Sequence, residues 1–210
     1  KTPIANLLLY AQLLEEQDLP PESREYVSAL EHQAEKLRFL IDALVKTSRL
    51  ESGVLAMTPK RHGIQQLLDA ASAQAAPGAE AKAITLTVEP TDLTARFDPK
   101  WTAEALYNLV DNAVKYTPAG GAVTLRAVGY ELFCRVDVTD TGPGIPESEQ
   151  ARIFQRFYRS PSASEAEGVG IGLYLARQIA AGQGGYLKVS SRPGEGSTFS
   201  LFLPRAEERT

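Results

Sequence analysis

Glycine is absent from the first 52 residues, and all 16 glycines fall between Gly53 and Gly196. A stretch that long without the residue that opens left-handed turns has little choice but extended helix. Its prolines confirm the limits. Pro3 suits a first helical turn, where its missing N–H has no partner to lose, and Asp18-Leu19-Pro20-Pro21 stops the helix that follows. Within that helix the apolar positions run Ile4, Leu7, Ala11, Leu14. From about Glu22 a second helix carries Val27, Leu30, Ala34, Leu37, Ile41 and Leu44. Alternating steps of three and four make a heptad seam, widened by Phe39, Leu40 and Val45. Two such helices cannot bury all of this surface by themselves. A hairpin that pairs with a second copy in a four-helix bundle would bury it, and packing against the rest of the chain is the alternative.

From Gly53 the pattern changes. Met57-Thr58-Pro59 reads as a linker or short strand. Ile64 to Ala76 reads as an Ala-rich helix stopped by Pro77-Gly78, and Thr85–Val88 alternates as a strand. Asp98-Pro99 opens a helix that runs to Tyr116. Strands are expected over Val123–Arg126, Phe133–Val138, Tyr186–Ser190 and Thr198–Leu203, with a helix over Gly172–Ala181. The expected class is therefore α+β: an antiparallel helical hairpin (half of a dimeric four-helix bundle) over residues 1–55, followed over residues 56–210 by an α/β sandwich whose mixed sheet is covered by helices on one face. Twenty-two Lys and Arg against 26 Asp and Glu leave a net charge of −4, which argues against a nucleic-acid partner. The single cysteine, Cys134, excludes a disulfide framework and reads as a buried strand residue. No run approaches the ~20 apolar residues of a membrane span. Lys1 to Leu9 has a helical period rather than that of a leader, and the lack of an initiator Met suggests a piece of a longer chain.

Four segments carry chemistry. On the Asp98–Tyr116 helix, Asn108, Asn112 and Lys115 stand at i, i+4 and i+7, a polar stripe beside Tyr116 and opposite the apolar Leu106, Leu109, Val110 and Ala113. Asp137-Val138-Thr139-Asp140-Thr141-Gly142-Pro143-Gly144-Ile145 ends a strand on a carboxylate, followed by two glycines that let backbone approach a flat ligand; an ordinary turn is the plainer reading. Gly168-Val169-Gly170-Ile171-Gly172-Leu173 leads into a helix whose first N–H groups form an anion site. It is neither the dinucleotide fingerprint nor a P-loop. Gly194-Glu195-Gly196-Ser197-Thr198-Phe199 reads as a hairpin turn.

In their order these segments resemble the boxes of the sensor histidine kinases. Asn108–Pro118 is similar to the N box, Asp140–Ile145 to the first glycine box, Ile153–Arg159 to the F box, Gly168–Leu173 to the second glycine box and Gly194–Phe199 to the third. Lys1-Thr2-Pro3-Ile4 resembles the tail of the signature that opens the family's dimerisation and phosphotransfer hairpin, so the resemblance covers essentially the whole chain. It implies ATP and Mg²⁺ as ligands on a fold of the gyrase, Hsp90, histidine kinase and MutL class. Asn112 would supply an oxygen to Mg²⁺, and Asn108 and Lys115 would contact phosphates. Tyr116 would stack near the adenine and Asp140 would accept from its amino group. Gly142, Gly144 and Ile145 would line the base end. Gly168, Gly170, Ile171, Gly172 and Leu173 would wrap the phosphates. Arg156 and Arg159 would steady the γ-phosphate, Thr198 would reach the adenine pocket through water, and Thr2 occupies the position implicated in dephosphorylating a partner.

The resemblance also implies a homodimer through the hairpin, a response-regulator receiver domain as partner, and a place in the cytoplasmic portion of an inner-membrane receptor whose span lies outside this chain. By its register the phosphoaccepting histidine falls just before Lys1, and His32 and His62 read as ordinary surface or interface residues. Asn108 stands where related ATPases carry a water-activating Glu, which favours transfer over hydrolysis. A hydrolytic ATPase and a catalytically incomplete, ATP-binding dimeric scaffold are the rival readings. The segment Tyr158–Gly168 reads as a lid over the nucleotide.

Overall fold

The structure, a computed structural model of the chain, describes residues 2–17, 19–51, 57–160 and 169–206. Two compact units result, Lys1–Ser52 and Gly53–Thr210. The expected boundary at 55/56 and the core of the expected lid, residues 161–168, lie outside the described residues.

The first unit is a pair of helices, α1 (Thr2–Glu15) and α2 (Pro21–Glu51), packed on each other across a five-residue connection. Their mutual contact buries small and medium residues: Leu8 and Ala11 on α1, Val27 and Ala43 on α2. The heptad leucines stay out. Leu7, Leu14, Leu30, Leu37 and Leu44 keep between 39% and 64% of their surface exposed. The hairpin is thus held by one face of each helix, which takes in Ala11 and Val27 of the heptad seam, while the leucines of that seam stay exposed within the unit.

The second unit is built on a five-stranded mixed sheet. Its strands are β2 (Thr85–Val88), β4 (Ala122–Gly129), β5 (Phe133–Asp140), β6 (Tyr186–Arg192) and β7 (Gly196–Pro204), in the order β2-β4-β5-β7-β6. Only β2 and β4 run parallel; the other pairs are antiparallel. Three helices pack on this sheet and on one another: α3 (Ile64–Ala81), α4 (Pro99–Tyr116) and α6 (Gly172–Gly182). Between them lies the core, with Leu68, Leu106, Leu109, Val123, Leu125, Val136, Ile179, Leu201 and Leu203 each under 2% exposed. The other sheet face carries no helix, yet it buries a charge. Asp137 is 1% exposed because Arg126 and Arg135 reach it at 3.2 and 2.9 Å while the Ser200 hydroxyl donates to it at 2.6 Å.

Two expectations need correction. The Ala-rich helix does not stop at Pro77-Gly78 but continues to Ala81. The proline removes one N–H bond, but the turn beyond it is held by tertiary packing: Ala79 is 2% exposed and Gly78 lies against Val114 of α4. His62 is not in a linker. It lies in β1 (Lys60–Gly63), which pairs antiparallel with an unanticipated β3 (Thr94–Phe97), and its ring packs on Phe97 at 5.3 Å. The F box follows a short helix, α5 (Glu147–Gln150), and begins within a 3₁₀ turn over Arg152–Phe154.

Candidate nucleotide site

Helix α4 is the spine of the site, and its local sequence explains its firmness. Asp98 caps it, accepting from the N–H groups of Lys100 and Trp101 at 3.1 and 3.3 Å, with Pro99 following. The Thr58 N–H also donates to Asp98, at 3.1 Å. Burial alone would raise this carboxyl, but the N–H groups of Thr58, Trp101 and Lys100 outweigh it and hold it below the ordinary range. Gln183, at the end of α6, accepts from the Asp98 N–H and donates to the Thr102 hydroxyl, joining the two helices.

The apolar stripe of α4 is buried, whereas Asn108, Asn112 and Lys115 are half-buried and Tyr116 lies at the surface. Asn108 is oriented by its own helix: Nδ2 donates to the Glu104 carbonyl at 2.8 Å. Its Oδ1 faces the start of α6, where a Cβ on Gly172 would come within 2.7 Å of it. That start is an open one. Its N-cap is Ile171, with no side-chain cap hydrogen bond among the described residues, and the start of an eleven-residue helix is a place suited to an anion. Gly170, at φ +74°, accepts from the Phe157 N–H at 2.9 Å, and a Cβ there would meet the Tyr158 carbonyl at 2.5 Å. The second glycine box is thereby fastened to the F box.

At the other end of α4, the Tyr116 carbonyl lies against Gly142, 3.2 Å from where a Cβ would stand. Asp140 is 6% exposed and accepts from the Gly142 and Ser197 N–H groups at 2.8 and 3.3 Å, both on Oδ1. Burial pushes its carboxyl above the ordinary range, and these two N–H groups return only part of the shift. A further donor, such as an exocyclic amine, is what such a group lacks. Burial likewise raises the Tyr116 hydroxyl, opposed by the Arg159 guanidinium and reinforced by Asp111. Arg156 stacks on Tyr174 of α6 at 4.8 Å and donates to its hydroxyl at 3.0 Å. The eight residues from Asn108 to Tyr116 separate the open α6 start from the Asp140 turn by about 12 Å of helix, with Asn112 midway.

Two expected roles do not fit this geometry. Thr198 is on the wrong face. It pairs with Thr139 on the helix-free side, their hydroxyls 3.0 Å apart. Strand alternation puts its neighbour Ser197 beside Asp140, and the sequence reading missed it by one residue. Gly144 is required by the protein's own packing: at φ +73° a Cβ would overlap the Arg192 carbonyl oxygen. The loop after it, with Ile145, is fixed by Ser191, whose hydroxyl accepts from the Ile145 N–H at 2.8 Å and donates to the Gly196 carbonyl. Gly168 and the side chain of Thr2 lie outside the described residues, although Thr2 itself begins α1.

The residues fit the implied ligands. Mg²⁺ binds through few protein oxygens plus phosphates, and Asn112 offers such an oxygen; no group of three or more His, Cys, Asp or Glu able to hold a metal occurs among the described residues. No described helix is long and apolar enough to cross a membrane.

Comparison with known proteins agrees with this geometry. Residues 97–207 match the family of histidine kinase-, DNA gyrase B- and HSP90-like ATPases, and residues 1–53 match the His kinase A (phospho-acceptor) domain. The chain is 35% identical to the sensor protein DivL of Caulobacter vibrioides over 99% of its own length and 27% of DivL's. It is 31% identical to the sensor protein GacS of Pseudomonas syringae pv. syringae over 99% of its length and 24% of GacS. It therefore spans about a quarter of these relatives. Full-length ShkA, solved in complex with AMPPNP, superimposes with a TM-score of 0.82 at 30% identity, covering 100% of this chain and 44% of that one. The mycobacterial sensor histidine kinase MprB gives 0.62 at 26% identity, over 71% of this chain and 99% of that one. A phospho-acceptor-type hairpin joined to an ATP-binding domain of this kind places the chain in the sensor histidine kinase family.

Proposed function

We propose that the chain is the core of an ATP-dependent protein histidine autokinase in a two-component system, whose phosphoryl group passes on to an aspartate of a response-regulator receiver domain. One observation carries the reading. A single helix face, Asn108 to Tyr116, joins an uncapped helix start suited to phosphates to a buried carboxylate suited to an amino group. In this reading Asp140 and Tyr116 hold the base, Asn112 holds Mg²⁺, and Asn108, Lys115 and the N–H groups of α6 hold phosphates. The ion would neutralise charge on the transferring group. Arg156 and Arg159 steady the γ-phosphate, Arg156 from its place on Tyr174 of α6.

Asn108 supports transfer over hydrolysis, because a side-chain amide cannot take a proton from water at neutral pH. The exposed heptad leucines support a homodimer through the hairpin. Neither histidine in the chain fits the acceptor role: His62 packs on Phe97 in a strand, and His32 lies on α2 without the Thr-Pro that follows the signature. The acceptor, the Thr2-dependent dephosphorylation and the place in the cytoplasmic part of a membrane receptor belong to the same reading.

The test is titration of AMPPNP with and without Mg²⁺ into the wild-type chain, Asn112→Ala and Asp140→Ala. Magnesium-dependent binding is expected for the wild type. Asn112→Ala should lose the magnesium dependence, and Asp140→Ala the preference for adenine over guanine. Absence of binding by the wild type would leave a scaffold whose hairpin only dimerises or binds a regulator, and steady phosphate release from ATP would favour the hydrolytic ATPase.

A further inference from the structure

Helix α4 is fixed at its N-terminus by Asp98 and Gln183; at the end that carries Lys115 and Tyr116, the local cap, the N–H and hydroxyl of Thr117, reaches only the Ala113 carbonyl. The last four carbonyls of a helix lack intrahelical partners and carry the negative end of its dipole. Here a residue more than thirty positions away supplies a second cap. The Lys82 ammonium donates to the carbonyls of Val114, Lys115 and Thr117 at 2.9, 2.8 and 2.6 Å. An ammonium has three N–H groups, and all three are used. Lys82 is itself the C-cap of α3, and its own carbonyl accepts from the Gly120 N–H at 3.0 Å, so the 117–121 loop is gripped from both sides.

The carbonyl left out of this set is that of Tyr116, the one that lies against Gly142 beside Asp140. The clamp therefore fixes the backbone on which the base end of the site rests, without touching that site. It also sets a positive charge at the negative end of the helix that faces the nucleotide. Resting on the nucleotide-site reading above, we infer that Lys82 is a positioning residue for nucleotide binding, holding the C-terminal end of α4 in register with the Asp140-Gly142 turn.

The experiment compares wild type, Lys82→Met, Lys82→Arg and Ala75→Gly in the full chain. ADP and AMPPNP affinities are measured well below each variant's unfolding midpoint, with and without Mg²⁺. Ala75→Gly lowers stability in the same helix two turns from the clamp and should bind like wild type. Lys82→Met is expected to bind both nucleotides about tenfold more weakly, with the ratio of affinities with and without Mg²⁺ unchanged, because Asn112 is not disturbed. Lys82→Arg keeps the charge but its planar fork cannot converge on three carbonyls, so it should recover part of the loss. Should Lys82→Met fail to fold, Lys82→Gln, which retains donors without charge, takes its place with a severalfold loss expected. Wild-type affinity in the Lys82 variants, or an equal loss in Ala75→Gly, overturns the inference. Failure of the wild type to bind either nucleotide overturns the nucleotide-site reading instead.

Discussion

The two units solve the burial problem in opposite ways. In Gly53–Thr210 three helices and a sheet close on a core of side chains with almost no exposure; in Lys1–Ser52 the buried apolar residues among those described are Leu8, Ala11, Val27 and Ala43, while Leu7, Leu14, Leu30, Leu37 and Leu44 stay exposed. A unit that leaves most of its leucines exposed is stable as part of something else. The glycine distribution expresses the same division. Among the described residues the ATP-binding unit has six glycines at positive φ that turn its chain and close its loops, and the hairpin sequence has no glycine before Gly53.

This contrast can be broken experimentally. The largest expected effect belongs to Leu37→Glu. Two carboxylates placed in a buried bundle seam cost several kcal/mol, so sedimentation should show the dimer weakened by about a hundredfold or more. An unchanged dimer would remove the seam from the interface. Next comes Leu109→Ala in the core of the second unit. A cavity at a fully buried leucine should destabilise that unit by roughly 2–5 kcal/mol in denaturant unfolding, with dimerisation untouched.

Asp98→Ala removes a cap and should cost about 1–2 kcal/mol at neutral pH. The sign of its pH dependence follows from the lowered native carboxyl. The native state holds the proton less tightly than the unfolded one, so the stabilisation is present above the unfolded value of 3.8 and is lost as the pH falls below it. The gap between wild type and variant should therefore narrow on acidification, and a constant gap would mean that the charge is irrelevant. The smallest perturbation is a label. Burial pushes the Cys134 thiol up to about 11, with Arg205 opposing in part, so native protein at neutral pH should react slowly with iodoacetamide. Cys134 is the only cysteine, so its labelling reports the unfolding of the second unit alone; Leu37→Glu should leave it slow.

What was legible in the sequence is what has a local cause. The heptad seam, the Asp98-Pro99 start of α4, its polar stripe and the carboxylate at the end of β5 are each written in neighbouring residues, and the structure carries all four. What was not legible depends on partners distant in the chain. Nothing near Pro77 shows that Ala79 will be held against α4. Lys60-Arg61-His62-Gly63 has no alternating apolar pattern, and becomes a strand only because Thr94–Phe97 lies beside it. Thr198 was misassigned by one position because box spacing does not say which strand residue faces inward, and a period of two makes that error total. The Lys82 clamp joins the ends of two helices through residues more than thirty positions apart and leaves no mark in either.

The charge buried on the uncovered sheet face has a consequence for how the sheet assembles. Val136, Asp137 and Val138 are consecutive, and the two valines are fully buried beneath the helices while the aspartate is held by two arginines and a serine on the other side. A slip of one residue between β5 and its neighbours would drive that carboxylate into hydrocarbon and turn both valines toward water. Mispaired sheets are thus penalised at the middle strand, where β4 and β7 both take their alignment. Asp140 lies three residues further along the same strand. Its place at the mouth of the site is inherited from an ion pair on the opposite face, which acts as a proofreader of strand registration.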